Sequence, residues 1–284
     1  MSGFSAEWLA LREPYDARAR NRDVLASVAA AAIAAGEAVG VVDLACGTGS
    51  TLRALAPRLP VRQDWRLVDN DLSLLARAAG KKTPGIAVTR IPVDLARDLE
   101  AALDGPVNLV TTSALLDLVS ADWLDRLVVE VAARRLPFYA ALTYDGRVTF
   151  DPADPLDGAV IAAVNLHQQT DKGFGPALGP RAAGAAIERF EAAGYAVVHG
   201  RSDWQLLPRD HDIQRDMLAG WAGAAREIGA VLLPDAAAWL TRRRDLLAAG
   251  RSTITVGHVD IFARPIGTRA AERSQSKSTS SPSG

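Results

Sequence analysis

Val41-Val42-Asp43-Leu44-Ala45-Cys46-Gly47-Thr48-Gly49-Ser50 is a short apolar run that stops at a glycine turn, and a helix-compatible segment, Thr51 to Leu59, follows at once. A strand that ends in glycines and feeds a helix brings bare backbone close to a ligand at the carboxyl edge of a parallel sheet. An ordinary strand-to-helix turn, needing glycine only for φ > 0, has the same outline. A dinucleotide fingerprint requires Gly or Ala at the place held by Leu52, counting from Gly47, and a phosphate-binding loop of the G-K-[ST] kind requires a lysine that this turn lacks. Asp43 adds a carboxylate that repels a pyrophosphate and suits a cation such as an ammonium or a sulfonium-bearing amino acid.

The strand-helix unit recurs along the chain. Arg66 to Val68 closes on Asp69-Asn70-Asp71, and Leu72, Leu75 and Ala76 begin a helix. Ile86 to Val93 ends at Asp94, and Val107 to Thr112 supplies a fourth strand. Ser120 then stands as N-cap before Trp123, Leu124, Leu127, Val128 and Val131 at helical spacing. Pro137 to Thr143 is the fifth strand. This alternation predicts an α/β fold with a parallel sheet covered on both faces.

The flanks are less regular. An arginine-rich amphipathic lead-in occupies the first twenty residues, with a helix break expected where Pro14 disfavours helix at Glu13. Residues 22–36 carry a weak helical stripe. Beyond residue 144, residues 146–180 surround a short helix with apolar positions Leu156, Val160, Ile161 and Val164. A helix from Arg181 leads into a sixth strand at Tyr195 to His199, and two helices follow, at about 210–228 and 235–249. In the last strand, Thr253 to Ala263, the apolar alternation slips at Gly257-His258, which predicts a β-bulge there. The serine-rich stretch 268–284 reads as a disordered tail.

Composition narrows the function. The 284 residues carry 32 basic and 33 acidic side chains, a formal net charge of −1, so nothing in the overall charge draws the chain to nucleic acid or an anionic membrane. No run is long enough to span a bilayer. A single cysteine and four histidines exclude an intrachain disulfide and a structural zinc cluster, so no metal is expected. The cysteine usage and the absence of a secretory leader pattern point to the cytoplasm.

Two further acids fall at strand ends. Asp69 lies about twenty residues beyond the glycine turn, where an acid accepts the hydroxyls of a ribose. Asp94 either accepts from an exocyclic amine or is a turn residue, and Asp71 is a helix N-cap. VVDLACGTGS, LVDNDLSLL, VDLARDL and NLVTTSALLDLVS, in this order and spacing, resemble the consecutive motifs of the class I S-adenosylmethionine-dependent methyltransferases over residues 39–145.

The resemblance implies a doubly wound, seven-stranded, mostly parallel sheet, the Rossmann-like methyltransferase fold, with S-adenosyl-L-methionine as cofactor. It places the methionine part of the cofactor on Asp43 and the Gly47–Gly49 turn, with Ala45 where the family has its first glycine. Asp69 and Asn70 take the ribose, Asp94 and Leu95 flank the adenine, and Ser113 with Leu116 line the route to the substrate. The family's last two strands form a hairpin with a short turn, and about fifty residues separate them here. Residues 1–36 thus form a helical cap and 37–264 the methyltransferase domain, with insertions at about 146–180 and 205–250 covering the carboxyl edge.

Candidates for the chemistry are His167, on the apolar face of its helix as general base or as a partly buried histidine, and Tyr144, a substrate contact or, with Asp145, a turn residue. Asn165 and Gln168 read as surface residues. Arg12, Arg18 and Arg20 either reach an acidic substrate or the cofactor carboxylate or, the safer reading, are solvated, and the cluster Arg242–Arg244 reads as a solvated face. Cys46 is committed to the cofactor turn, which disfavours cysteine-nucleophile chemistry, and no Asn-Pro-Pro-Tyr motif follows the fourth strand. The expected acceptor is therefore a small molecule, methylated on O, N or C, with no nucleic acid and no membrane partner. An NAD(P)-dependent oxidoreductase and a non-catalytic binder of S-adenosylmethionine are the alternatives.

Overall fold

The computed structural model describes residues 4–78 and 83–266, so the stretch read as a disordered tail, 268–284, lies outside the described residues. The strands are β1 (Ala38–Leu44), β2 (Arg62–Asp69), β3 (Ile86–Pro92), β4 (Leu109–Ser113), β5 (Phe138–Asp151), β6 (Tyr195–Arg201), β7 (Trp204–Leu206) and β8 (Thr253–Pro265). They form one sheet in the order β3-β2-β1-β4-β5-β8-β6, with β7 pairing β8 off the main path. Pairs among β1 to β5 are parallel, whereas β8 runs antiparallel to β5, β6 and β7. The short β7 is an eighth strand beyond the seven expected.

Among the described residues, ten α-helices accompany them: α1 (Ala6–Ala19), α2 (Arg22–Ala34), α3 (Ser50–Leu55), α4 (Leu72–Arg77), α5 (Leu99–Ala102), α6 (Ala121–Ala133), α7 (Asp157–His167), α8 (Ala182–Ala192), α9 (His211–Ile228) and α10 (Leu233–Ala248). Local sequence explains several of them. Ser120 caps α6 by accepting from the Trp123 N–H at 3.2 Å. Trp123, Leu124, Leu127, Val128 and Val131 then fall on one buried face, as the helical period requires. Asp71 caps α4, its Oδ1 accepting from the N–H groups of Ser73 and Leu74. Helices α6 and α8 cover one face of the sheet, and α2 and α3 the other.

Three expectations are corrected. Pro14 does not break the lead-in: α1 runs through it, anchored on both sides by contacts from Leu9 to Asp16. The fifth strand does not stop at Thr143 but continues to Asp151, so Tyr144 and Asp145 lie inside it. The expected bulge at Gly257-His258 falls on the partner strand instead. Tyr144 pairs with His258 and Val148 with Val256, so the extra residues belong to β5.

That long β5 and the first half of β8 carry a ribbon past the end of the parallel sheet. Helices α7, α9 and α10 pack on it through Val160, Val164, Ile213, Leu218 and Trp239. Gly257 is needed in the ribbon, because a Cβ there would collide with Asp145 Oδ1 and lie 2.8 Å from Arg147 Cβ. Gly257→Ala should cost about 1–3 kcal/mol, as overpacking does. A urea midpoint equal to that of the parent chain would contradict this.

Candidate functional site

The glycine turn sits at the carboxyl end of β1, in the middle of the sheet. Gly47 and Gly49 adopt left-handed φ values of 53° and 83°. Among the described non-glycine residues, Ala45, Ala114, Arg135 and Leu142 are also left-handed; Ala45 and Ala114 directly follow β1 and β4, and Leu142 lies within β5 at a shift in its register with β8. Such strain persists only where surrounding structure enforces it, and it gathers at functional edges. Ala45, with φ 52°, takes a conformation that glycine adopts without cost.

Asp43 is fully buried beneath the turn. Its Oδ1 accepts from Thr111 Oγ1 at 2.8 Å, while its Oδ2 has no hydrogen-bond partner. Burial pushes the carboxyl up to about 7, against the pull of the Thr111 hydroxyl, the nearby Arg20 charge and the Thr51 hydroxyl. Arg20 itself is 4% exposed, which corrects the expectation that it is solvated. Its Nη1 donates to Tyr139 Oη at 3.1 Å and its Nη2 to Ser113 Oγ at 3.4 Å, leaving Nε unpaired. Asp260, on β8, faces Arg20 and accepts from the Leu142 N–H at 2.8 Å. Arg18 remains exposed, and Arg12 is half-buried against Asp16.

Asp69 ends β2 and holds the turn in place. Its Oδ2 accepts from the Gly47 N–H at 2.8 Å and its Oδ1 from the Asp71 N–H at 3.0 Å. Burial raises its pKa, opposed by those backbone donors. Each oxygen keeps a second lone pair for another donor. Asn70 follows at the strand end and is exposed. Asp94, after β3, accepts from the Ala96 N–H at 3.0 Å, and Leu95 is buried beside it with its carbonyl accepting from Trp123 Nε1 at 2.7 Å. Cys46 is buried and its thiol pKa is pushed up by burial and by Asp43 and Asp69, so it is no nucleophile.

Helix α1 lies across the turn. The side chain nearest the place of a Gly47 Cβ is Leu9, at 3.0 Å. Glu13 pairs with Arg53 at 2.7 Å, and Arg53 Nη1 donates to the Thr48 carbonyl at 2.6 Å.

The two candidates for the chemistry part company. Tyr144 is buried at the carboxyl end of the sheet, and its hydroxyl donates to Asn165 Oδ1 at 2.7 Å. Asn165 is thus tied to the site's edge and is not a free surface residue. His167 ends α7 between Glu227, 3.2 Å away, and Lys172, 3.4 Å away, and none of these contacts joins it to the glycine turn. Arg243 is fully buried, a further correction, while Arg242 pairs with Asp154 nearer the surface.

The burial of Arg20 and His258 is not legible in the sequence, because only tertiary folding produces it. Asp117 did carry a signal, being a lone acid inside Leu115-Leu116-Asp117-Leu118-Val119. Among the described residues, no cluster of His, Cys, Asp and Glu is arranged to hold a metal ion, and no helix is long and apolar enough to cross a membrane.

No family model and no curated protein matches this sequence. Solved structures do match. A cyclopropane-fatty-acyl-phospholipid synthase-like protein from Lactobacillus casei shares 13% identity over 92% of this chain and 94% of its own, with a TM-score of 0.52. A SAM-dependent methyltransferase from Geobacter sulfurreducens in complex with S-adenosyl-L-homocysteine has 15% identity over 93% of this chain and 100% of its own, with a TM-score of 0.45. With its strand order and its glycine turn at the end of β1, the chain has the Rossmann-like fold of the class I S-adenosylmethionine-dependent methyltransferases.

Proposed function

We propose that this chain is an S-adenosylmethionine-dependent methyltransferase acting on a small-molecule acceptor. The observation that carries the reading is the pair of buried, unpaired and oppositely charged atoms beneath the glycine turn, Asp43 Oδ2 and Arg20 Nε. A free amino acid group carries an ammonium and a carboxylate, and one such zwitterion satisfies both. The cofactor's methionine end fits this donor and acceptor set. Asp43 would hold its ammonium, Arg20 its carboxylate, and Asp69 with Asn70 the ribose hydroxyls, while Asp94 and Leu95 would border the adenine and Ser113 the way to the acceptor.

When bound, the cofactor supplies an electrophilic methyl group on a sulfonium. Displacement from sulfur leaves a neutral thioether, so no acid is needed to help the leaving group. Holding nucleophile and methyl in line contributes on the order of 7–11 kcal/mol. The chain's own part is to align the reactants, exclude water and accept a proton where the nucleophile carries one. Leu9 of α1, and not a side chain from 146–180, covers the turn, a placement that suits a clasp over a bound cofactor. The near-zero net charge supports a small acceptor over a nucleic acid.

Asp69→Ala should weaken binding of S-adenosylhomocysteine about 10- to 100-fold, the worth of hydrogen bonds to a charged group. Calorimetric titration reads this directly, and an affinity equal to that of the parent chain would refute the assignment. Transfer of a labelled methyl group into a metabolite extract tests the activity.

A further inference from the structure

Among the described residues, seven buried side-chain atoms have no hydrogen-bond partner: Arg20 Nε and Asp43 Oδ2 at the cofactor end, then Asp117 Oδ1, Thr143 Oγ1 and His258 Nδ1, with Arg66 Nη2 on β2 and Ser202 Oγ after β6 outside these two sets. Leaving such an atom unpaired costs about 1–3 kcal/mol, so a group of them marks a place that a ligand completes.

Two of the second set, Asp117 and His258, both border Tyr144. Asp117 is 5% exposed, in the turn that follows β4, and the backbone N–H of Tyr144 faces its carboxylate. Tyr144 is the register partner of His258 on β8, and their rings meet edge to face at 6.1 Å. The His258 ring, also 5% exposed, lies 5.1 Å from that of Trp204. Trp204 Nε1 donates to Asp16 at 3.0 Å, and Arg12 stacks over the same indole at 5.0 Å. The Arg12 charge acts on both Asp117 and His258. Strands β4, β5 and β8 stand one, two and three spacings from β1, about 5, 10 and 15 Å. The group therefore lies along the same edge of the sheet as Asp43, one to three strands away from it.

We infer that Asp117 and His258 hold the methyl acceptor, and that the acceptor is a small molecule whose nucleophile is a hydroxyl group. This rests on the methyltransferase reading above. One hydroxyl satisfies both orphaned atoms when the neutral imidazole carries its proton on Nδ1, donating to Asp117 Oδ1 and accepting from that Nδ1–H. Asp117 then takes the proton. The hydroxyl oxygen forms its bond to the methyl carbon as its O–H bond breaks, and the electron pair of the broken carbon–sulfur bond stays on sulfur.

The electrostatics agree with these roles. Burial pushes Asp117 up to about 6, near the working range of a general base, and pushes His258 down to about 3, so the imidazole stays neutral as a hydrogen-bond partner. The other charged or titratable groups around them are Arg12 and Asp16 from α1, Tyr144, Asp145 and Arg147 from β5, and Asp203 between β6 and β7.

The test uses the full chain, with S-adenosylhomocysteine for binding and labelled methyl transfer into a metabolite extract for activity. Asp117→Asn should bind S-adenosylhomocysteine within about twofold of the parent while transfer falls about 100-fold or more. At saturating cofactor, which removes Asp43 from the profile, transfer by the parent should fall as pH drops through about 6, and the residual activity of Asp117→Asn should not follow that profile. His258→Asn, which keeps a hydrogen-bonding atom near the Nδ1 position, should retain more activity than His258→Leu.

Transfer unchanged in Asp117→Asn, loss of transfer together with cofactor affinity, or labelled product that carries no O-methyl group would each overturn the assignment of Asp117 and its acceptor. A parent chain that binds no S-adenosylhomocysteine would instead sink the methyltransferase reading and this inference with it. The two failures are read from different measurements.

Discussion

Asp43→Asn is expected to become more stable and to lose its cofactor in the same step. The folded carboxyl holds its proton up to about pH 7, whereas an ordinary aspartate releases it near 3.8. Between these values the folded state binds more protons than the unfolded one, so stability falls as pH rises through that window. Above pH 7 the accumulated cost is about 4 kcal/mol. Asparagine has nothing to titrate, so the variant should gain most at pH 8, less at pH 5 and nothing below the unfolded value.

Cofactor affinity should move the other way. Removing one member of a buried charge pair costs about 2–5 kcal/mol, or roughly 30- to several thousand-fold in binding. Thermal midpoints at pH 5 and 8, with calorimetric titration at pH 8, give both quantities. A variant less stable than the parent at pH 8, or one that binds as tightly, would contradict the role given to Asp43. Stability gained at the expense of binding is the usual mark of a polar group kept for function.

Arg243→Ala is expected to unfasten a second helical cap, formed by α7, α9 and α10 on the β5–β8 ribbon and separate from residues 1–36. Arg243, on α10, has no exposed side-chain surface. Its Nε donates to Asp157 Oδ1 at 3.1 Å and its Nη1 to the Pro152 carbonyl at 2.7 Å, with Nη2 also on Asp157. The guanidinium stacks over Phe150 at 4.2 Å, and Trp239 Nε1 donates to the same Asp157 at 2.8 Å. Deleting the arginine strands Asp157 and empties the stack, at about 3–5 kcal/mol. For a chain of this size that lowers the thermal midpoint by about 10 °C. Arg243→Met with Asp157→Leu should recover much of the loss, because the cost lies in the unpaired charge. A single variant within 1 kcal/mol of the parent would show that the pair does not fasten the cap.

What was legible in the sequence was local. The glycine turn follows from two glycines and a short apolar run, the α4 cap from Asp71, and the buried face of α6 from apolar spacing between Trp123 and Val131. Their causes lie within a few residues. The hidden features depend on partners far away in the chain. Arg20 reads as one more arginine of an amphipathic lead-in until Tyr139, Ser113 and Asp260 close around it. Arg243 stands in a run of three arginines and is set apart only by Asp157, eighty-six residues away. The long β5 was cut short because Tyr144-Asp145-Gly146 has turn composition, and what keeps it in the sheet is β8.

The site divides in the same way. Asp43, Gly47, Gly49, Asp69, Asp94 and Ser113 lie at strand ends, where a parallel sheet brings successive carboxyl termini to one edge, so their grouping follows from the alternation. Asp117 and His258 both border Tyr144 only because β8 lies beside β5. His167 illustrates the opposite case. Its helical face was read from spacing, but where α7 ends is decided by packing against α9, and the ring emerges beside Glu227.

The central claim is that the glycine turn with Asp43, Arg20 and Asp69 is built for the amino acid and ribose of S-adenosylmethionine and not for a pyrophosphate. Calorimetric titration of the purified chain with S-adenosylhomocysteine and, separately, with NAD tests it most directly. The account predicts saturable heat with one-to-one stoichiometry for S-adenosylhomocysteine and none for NAD. Binding of NAD with no heat from S-adenosylhomocysteine would contradict it.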